Sequence, residues 1–323
     1  MKMLVLGGSR FIGLHLVRLL HHQGHDVSVL NRGQTKAELP PGVTRLHADR
    51  SSADQVKSAL RGPSYDVAFD ISGYTRASLL PVIESLENRV GRFVFCSTTS
   101  VYAPSEVAPI DEDFPLFRSP EASQYARDKV ECEDLLMEAH ARGFPVTILR
   151  PPYVYGPDNY IREREFSFFA RLTQGRKVLI PDDGLTLIHL VHVDDLVAAF
   201  VAAPEHRQTL GQAYSVCGPD AITANGFVQT IGQAMGATPI VVHVPPAKYR
   251  AAGQQAFPYE WAASRVYSIE KARRDMGWAP KYRMEDGLAM TYRWWLERGL
   301  DKAPWDFSAE DEFLEGRAAG GVA

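Results

Sequence analysis

The chain alternates short apolar runs with amphipathic stretches. Met3 to Leu6 is a continuous apolar run, the pattern of a strand buried on both faces. A glycine turn follows. After it Phe11, Ile12, Leu14, Leu16, Val17, Leu19 and Leu20 recur at helical spacing. Gly24 ends that helix, with His21 and His22 in its last turn. Val27 to Leu30 is the next strand, so a strand–turn–helix–strand unit is complete.

The alternation continues with a strand over Asp66–Ile71, a helix including Leu79–Leu86, a strand over Phe93–Ser97 and a helix over Tyr125–Ala139. A further strand, Val146–Leu149, ends at Arg150-Pro151-Pro152, where proline stops regular structure. Strands alternating with helices predict an α/β fold with a doubly wound parallel sheet over residues 1–152. Beyond it the rhythm loosens, with prolines at 157, 181, 204, 219, 245, 246, 258 and 280. This predicts a smaller substrate domain over 153–185 and 217–305. Leu187–Ala203 reads as strand then helix and returns the chain to the first sheet over 186–216. Residues 306–323 are expected to be a C-terminal tail, its Gly/Ala-rich end from Arg317 disordered.

Composition narrows the function classes. Of 323 residues, 45% are hydrophobic and 23% charged, which excludes a disordered chain. Thirty-five Lys and Arg against 39 Asp and Glu leave a net charge of −4, the wrong sign for a chain that lives by phosphate contacts. Cys96, Cys132 and Cys217 are odd in number and form no C-x-x-C, which fits reduced thiols better than a disulfide or zinc framework. No apolar stretch approaches the roughly 20 residues that span a bilayer. A soluble, cytoplasmic protein with no membrane partner is expected.

Two places carry candidate chemistry. Gly7-Gly8-Ser9-Arg10-Phe11-Ile12-Gly13 lies between a strand and a helix, the context in which backbone N–H groups and a helix N-terminus cradle a diphosphate. Arg10 stands where the middle glycine of G-x-G-x-x-G would be. After the second strand comes Asn31-Arg32 rather than the carboxylate that holds NAD ribose hydroxyls. Arg10 and Arg32 suit a 2′-phosphate, so NADP is favoured slightly over NAD. Farther on, Tyr125 and Lys129 are one helical turn apart. A neighbouring ammonium favours the phenolate and lets Tyr125 exchange a proton with a substrate hydroxyl. Thr98, at the C-terminal end of a strand, is placed to hydrogen-bond the same oxygen.

These elements together resemble the extended short-chain dehydrogenase/reductases, the NAD(P)-dependent epimerase/dehydratases. Also matching are Asp49, the Ser97–Tyr102 stretch, Arg150-Pro151-Pro152-Tyr153-Val154-Tyr155-Gly156-Pro157, His192-Val193-Asp194-Asp195-Leu196, and Ser268–Ala272 followed by Gly277–Pro280. The resemblance implies a Rossmann domain, with Thr98, Tyr125 and Lys129 catalytic and Lys129 also on the nicotinamide ribose. It implies Asp49 near adenine and Ser72-Gly73 passing along the cofactor. Thr99 and Ser100 stand where sugar-nucleotide dehydratases carry Asp-Glu, which argues against dehydration. Tyr153 and Ile188 replace the family's Asn and Arg toward a nucleotide portion, which argues against a nucleotide-sugar substrate. The implied activity is that of an oxidoreductase or epimerase on a secondary alcohol or keto carbon of a small polar molecule.

A narrower likeness joins Gly8–Gly13, Asn31-Arg32-Gly33, Phe257-Pro258 and Trp305-Asp306-Phe307 to Asp311 with the bacterial relatives of the chloroplast stem-loop-binding proteins. That branch is associated with RNA, and its plant members lack the Tyr–Lys pair kept here. An RNA-binding protein, or a non-catalytic cofactor sensor, is therefore the alternative. Tyr153, Arg162 and His189 are further substrate candidates, and a homodimer is the family's common state. His21, His22 and His25 read as helix-end histidines rather than a metal site. Tyr292, Trp294 and Trp295 read as packing on the last long helix.

Overall fold

The computed structural model describes residues 1–247, 257–259 and 262–314. In chain order the elements are β1 (Lys2–Leu6), α1 (Phe11–His22), β2 (Asp26–Asn31), β3 (Thr44–His47), α2 (Ala53–Ala59), β4 (Tyr65–Asp70), α3 (Arg76–Leu86), β5 (Val90–Cys96), α4 (Gln124–Ala141), β6 (Val146–Arg150) and β7 (Tyr153–Tyr155). There follow α5 (Glu165–Thr173), β8 (Lys177–Pro181), β9 (Leu187–His192), α6 (Val193–Ala202), β10 (Gln212–Ser215), β11 (Ala221–Thr223), α7 (Ala224–Met235), β12 (Ile240–Val244), α8 (Glu270–Met276), α9 (Met284–Glu297) and α10 (Ser308–Leu314). The chain divides into two compact units. The larger comprises Met1–Val154, Val191–Cys217 and Tyr267–Lys281, and the smaller the rest.

The larger unit is a seven-stranded sheet in the order β3-β2-β1-β4-β5-β6-β10, parallel throughout. It is the Rossmann-like α/β fold expected from the alternation. The period of two along each strand fills both faces. Met3 and Val5 of β1 enter one core with Leu16, Val17 and Leu20 of α1 and Leu196 and Phe200 of α6. Leu4 and Leu6 enter the other with Leu79 and Val82 of α3 and Leu135 and Leu136 of α4. Strand order reverses between β1 and β4, and ligands of such sheets bind at the C-terminal strand ends there.

Two parts of this unit differ from the sequence reading. The alternation gave no sign of β3 or α2. Thr44-Arg45-Leu46-His47 is an edge strand with no buried residue, so it carries no apolar pattern to read. Residues 267–281, expected in the substrate domain, belong to the larger unit. Ala272, Met276 and Trp278 join its core, and Asp195 of α6 fixes them. Its carbonyl accepts from Trp278 Nε1 at 3.1 Å and its Oδ1 from the Lys281 N–H at 2.8 Å.

In the smaller unit β12 pairs parallel with β8, and β11 antiparallel with β9 over Leu187–His189. Aromatic rings tie its helices together. Phe168 of α5 meets Phe227 of α7 edge-on at 5.5 Å, and Phe169 meets Trp295 of α9 at 5.7 Å. Trp294 stacks on Phe166 at 5.8 Å, so the tryptophan pair is helix packing. The described part of the expected tail, 306–314, is anchored rather than loose. Phe307 lies 4.9 Å from the guanidinium of Arg171 and 4.9 Å from that of Arg176. Glu310 of α10 pairs with Arg171 through both carboxylate oxygens, and Asp311 pairs with Arg176. The Gly/Ala-rich end lies outside the described residues. No helix among the described residues is long and apolar enough to cross a membrane.

Arg171 is 3% exposed, so its charge depends on Glu310. Glu310→Ala strands that charge and is expected to destabilise the smaller unit by about 3–5 kcal/mol in urea unfolding. Arg171→Met combined with Glu310→Leu is expected to recover most of the loss, because no charge then remains buried.

Candidate functional site

The glycine turn is built by two close approaches. Gly7 has φ +93°, and a Cβ on it would stand 2.7 Å from Cβ of Ser72. A Cβ on Gly13 would stand 2.1 Å from the Gly7 carbonyl oxygen, so α1 packs directly on the turn that precedes it. Between them Arg10 is the extended N-cap, and Phe11 opens α1 at φ +39°. That angle is strained for a bulky residue and is held because the ring is buried in the core. The first turn of α1 carries no acidic residue. A backbone cradle at an uncompensated helix N-terminus fits the diphosphate of a dinucleotide.

The residues expected at the adenosine end lie around the ends of β1, β2 and β3. Arg10 Nε donates to Thr35 Oγ1 at 3.1 Å and so bridges the glycine turn to the loop after β2. Asn31 Oδ1 accepts from the Gly33 N–H at 2.8 Å. Asp49 Oδ1 accepts from the Ser51 N–H and hydroxyl at 2.9 and 2.8 Å. Those bonds, with the Arg32 charge added, hold its carboxyl below 3.8.

The neighbouring Arg50, absent from the sequence expectations, clamps Asp70 through two nitrogens at 2.5 and 2.7 Å. It also donates to Ser72 Oγ at 3.0 Å, and Asp70 Oδ1 accepts from the Ser72 N–H at 3.0 Å. This clamp fixes the Ser72-Gly73 segment against the glycine turn. An arginine directly after Asp49 gave no spacing signal, since its partner is 20 residues away.

At the other end Tyr125, Lys129 and Glu133 fall on one line of α4 at successive turns. Tyr125 is 44% exposed, whereas Lys129 is 2% exposed. Lys129 Nζ donates to the carbonyls of Gly73 at 2.8 Å and Cys96 at 2.7 Å. The Phe95 ring lies 4.7 Å away and the Tyr74 ring 5.1 Å. No carboxylate pairs with Lys129 among the described residues, and burial pulls its pKa below the usual 10.5. One turn on, Glu133 is paired with Arg150 at 3.0 and 2.6 Å and accepts from Ser97 Oγ at 2.5 Å. Burial works against the Arg150 charge, and Glu133 more than offsets it. Sequence reasoning missed Glu133, although a glutamate two turns from Tyr125 on the core-facing side was a readable signal.

Thr98 is buried at the end of β5. Its Oγ1 accepts from the Ser100 N–H at 3.2 Å and contacts Ser100 Oγ at 3.2 Å, capping the 3₁₀ turn Thr99–Val101. Tyr153 starts β7, half-buried. Tyr102 is a poor proton shuttle, since burial pushes its phenol up to about 12. The thiols are inert for the same reason, with Cys96 raised to about 11 and Cys132 to about 12. Among the described residues there is no cluster of metal-ligating side chains.

Two substrate candidates belong to the smaller unit. Arg162 stacks on Trp305 at 4.4 Å and donates to the Pro304 carbonyl at 3.2 Å. His189 is buried with Nε2 2.9 Å from the Gly218 carbonyl, and burial lowers its pKa. Both are thus engaged in bracing their own unit.

Residues 3–217 match the model of the NAD dependent epimerase/dehydratase family. The chain is 32% identical to the chloroplast stem-loop binding protein of 41 kDa b of Arabidopsis thaliana, over 97% of this chain and 84% of that one. It is 24% identical to 2'-dehydrokanamycin reductase of Streptomyces kanamyceticus, over 93% and 81% of the two chains. Among solved structures, an epimerase of Methanothermobacter thermautotrophicus superposes with TM-score 0.79 at 21% identity, covering 93% of this chain and 94% of that one. UDP-glucose 4-epimerase of Thermotoga maritima gives 0.78 at 22% identity, covering 92% and 99%. These likenesses show the fold.

The Lys129 environment makes a stability prediction. The native lysine loses its proton at lower pH than the unfolded one, so the unfolded state binds more protons as pH approaches 10.5. Wild type is expected to gain stability relative to Lys129→Met as pH is raised from about 7 to about 10 in urea unfolding. A difference that stays flat over that range would mean that the native ammonium is not desolvated.

Proposed function

Because the chain belongs to the NAD dependent epimerase/dehydratase family, of the extended short-chain dehydrogenase/reductase type, we propose that it is an NAD(P)-dependent reductase or epimerase acting on a secondary alcohol or keto carbon of a small polar molecule. The observation that carries this reading is a half-exposed Tyr125 one turn above a buried Lys129 that pairs with no carboxylate among the described residues. Residues 7–13 hold the diphosphate, Arg10, Asn31, Arg32 and Asp49 the adenosine end, and Ser72, Gly73, Tyr125 and Lys129 the nicotinamide end. When bound, the nicotinamide cofactor accepts or supplies a hydride. Lys129 raises the local potential and favours the Tyr125 phenolate, since opposite charge stabilises the ionised form. Tyr125 Oη takes the proton of a substrate hydroxyl on oxidation and returns it on reduction. Thr98 Oγ1 orients the same substrate oxygen. Thr99 and Ser100 supply neither the acid nor the base that eliminating water requires.

The cofactor preference follows from charge. Arg32 and the Arg10–Thr35 bridge surround the end of β2 with cationic groups, which supports NADP(H). Arg32→Ala is expected to weaken NADPH binding about tenfold or more, by loss of one charge-assisted contact, and NADH binding much less. Fluorescence titration with the two nucleotides checks this, and equal losses would remove the 2′-phosphate assignment.

The mechanism is tested by turnover. Tyr125→Phe is expected to bind nucleotide as wild type does and to lose about 10²–10⁴ of kcat on whichever carbonyl compound wild type reduces. Full activity in that variant would sink the acid–base role. A second reading, RNA binding, is favoured by one observation, the likeness at 32% identity to a plant stem-loop binding protein. It requires affinity for a stem-loop that falls steeply with salt and ignores Tyr125→Phe.

A further inference from the structure

The Lys129 cage has an inner and an outer wall. Phe95, fully buried on β5, is the inner wall. Tyr74 is the outer wall, with its ring centroid 5.1 Å from Nζ while 49% of the residue is exposed. A ring half in water thus stands beside an ammonium that water scarcely touches. The backbone on either side of Tyr74 is fixed. A Cβ on Gly73 would stand 2.7 Å from the Phe95 ring and 2.9 Å from Asp70 Oδ2, and the Gly73 carbonyl is bonded to Lys129. Thr75 caps α3 in a reciprocal capping box with Ser78.

We propose that Tyr74 is a positioning residue that acts through Lys129: its ring closes the cage against water and keeps the field of the ammonium on Tyr125. This rests on the Tyr–Lys reading above. Water admitted to Nζ would raise the local dielectric and weaken that field. The other titratable groups that act on Lys129 are Cys96, Cys132, Asp70 and Arg50. Both thiols are raised by burial and stay protonated at neutral pH, and Asp70 and Arg50 are paired with each other. None of them replaces the cover that Tyr74 supplies. The part that matters is the ring, so phenylalanine in its place keeps the cage closed.

The test is competitive acetylation of the intact chain with acetic anhydride at a series of pH values from about 7 to about 11, read lysine by lysine by peptide mass spectrometry. Exposed Lys177 serves as the internal reference. In wild type and Tyr74→Phe, Lys129 is expected to react at least about tenfold more slowly than Lys177, as burial requires. In Tyr74→Ala its rate is expected to rise about tenfold, with the midpoint moving up toward that of an ordinary lysine as hydration returns. Tyr74→Val provides the same reading if the alanine variant does not fold. Unchanged rate and midpoint in the truncated variants would overturn the proposal. So would a truncated variant in which KM for substrate changes while Lys129 labelling does not, since Tyr74 would then be a substrate contact. Tyr125→Phe leaves the labelling at its wild-type value. Failure of the Tyr–Lys chemistry therefore shows in turnover, and failure of the cage shows in labelling.

Discussion

Burying an ammonium with no carboxylate beside it costs about several kcal/mol even after a protein relaxes around it. The candidate site is organised around one such cation. Lys129 is balanced by two carbonyl dipoles and two ring faces, all of them neutral. The carbonyls come from the ends of β4 and β5, so α4 must lie across those two strand ends for the arrangement to exist. Two other cations at the same ends of the sheet are treated differently. Arg50 is paired with Asp70, and Arg150 with Glu133. Pairing cancels their fields at a distance. Lys129 has no such partner among the described residues, and on the proposed reading its field acts on the tyrosine one turn away.

The rest of the larger unit supplies rigidity to that point. The glycine turn packs on Ser72, Ser72 is held by Arg50 and Asp70, and the following Gly73 carbonyl accepts from Lys129. The two ends of the expected cofactor site are therefore joined through one short segment after β4. On the far side Ser97, next to Thr98, is tied to Glu133, which lies one turn beyond Lys129 on the same helix. A displacement of α4 would move Tyr125, Lys129 and the neighbour of Thr98 together. Rotamers locked by packing and outer hydrogen bonds keep reacting groups in register in this way.

What could be read from the sequence follows from how each part is stabilised. The strands β1, β2, β4, β5 and β6 are apolar on both faces, and α1, α3 and α4 carry a one-sided stripe, so periodicity found them all. It missed β3, whose residues are all at least partly exposed, and it misassigned 267–281, whose anchoring to Asp195 depends on pairs more than 80 residues apart. The Arg171–Glu310 clasp, 139 residues apart, was hidden for the same reason. The candidates Tyr125, Lys129 and Thr98 could be named because the spacing that singles them out is local to a helix turn or a strand end. Glu133 apart, their supports could not. Arg50, Tyr74 and Phe95 meet their partners only through the topology of the sheet.

Two tyrosines at the same end of the sheet show why position rather than residue type decides chemistry. Tyr102 is 1% exposed, bonded to Ser215 Oγ at 2.7 Å and stacked on Tyr267. Burial raises its phenol to about 12 although Arg150 lies 4.9 Å from its ring. The nearby cation pulls the phenol down, but burial outweighs it. Tyr125 has the opposite surroundings: it is 44% exposed, and Lys129, one turn on, has no carboxylate partner among the described residues. A phenol is made useful at neutral pH by a cation whose charge is not spent elsewhere and by a path for the proton to leave. Of these two tyrosines, only Tyr125 stands over such a cation. On the proposed reading, the stability given up in burying Lys129 with no acid beside it among the described residues is the physical condition for proton transfer at Tyr125.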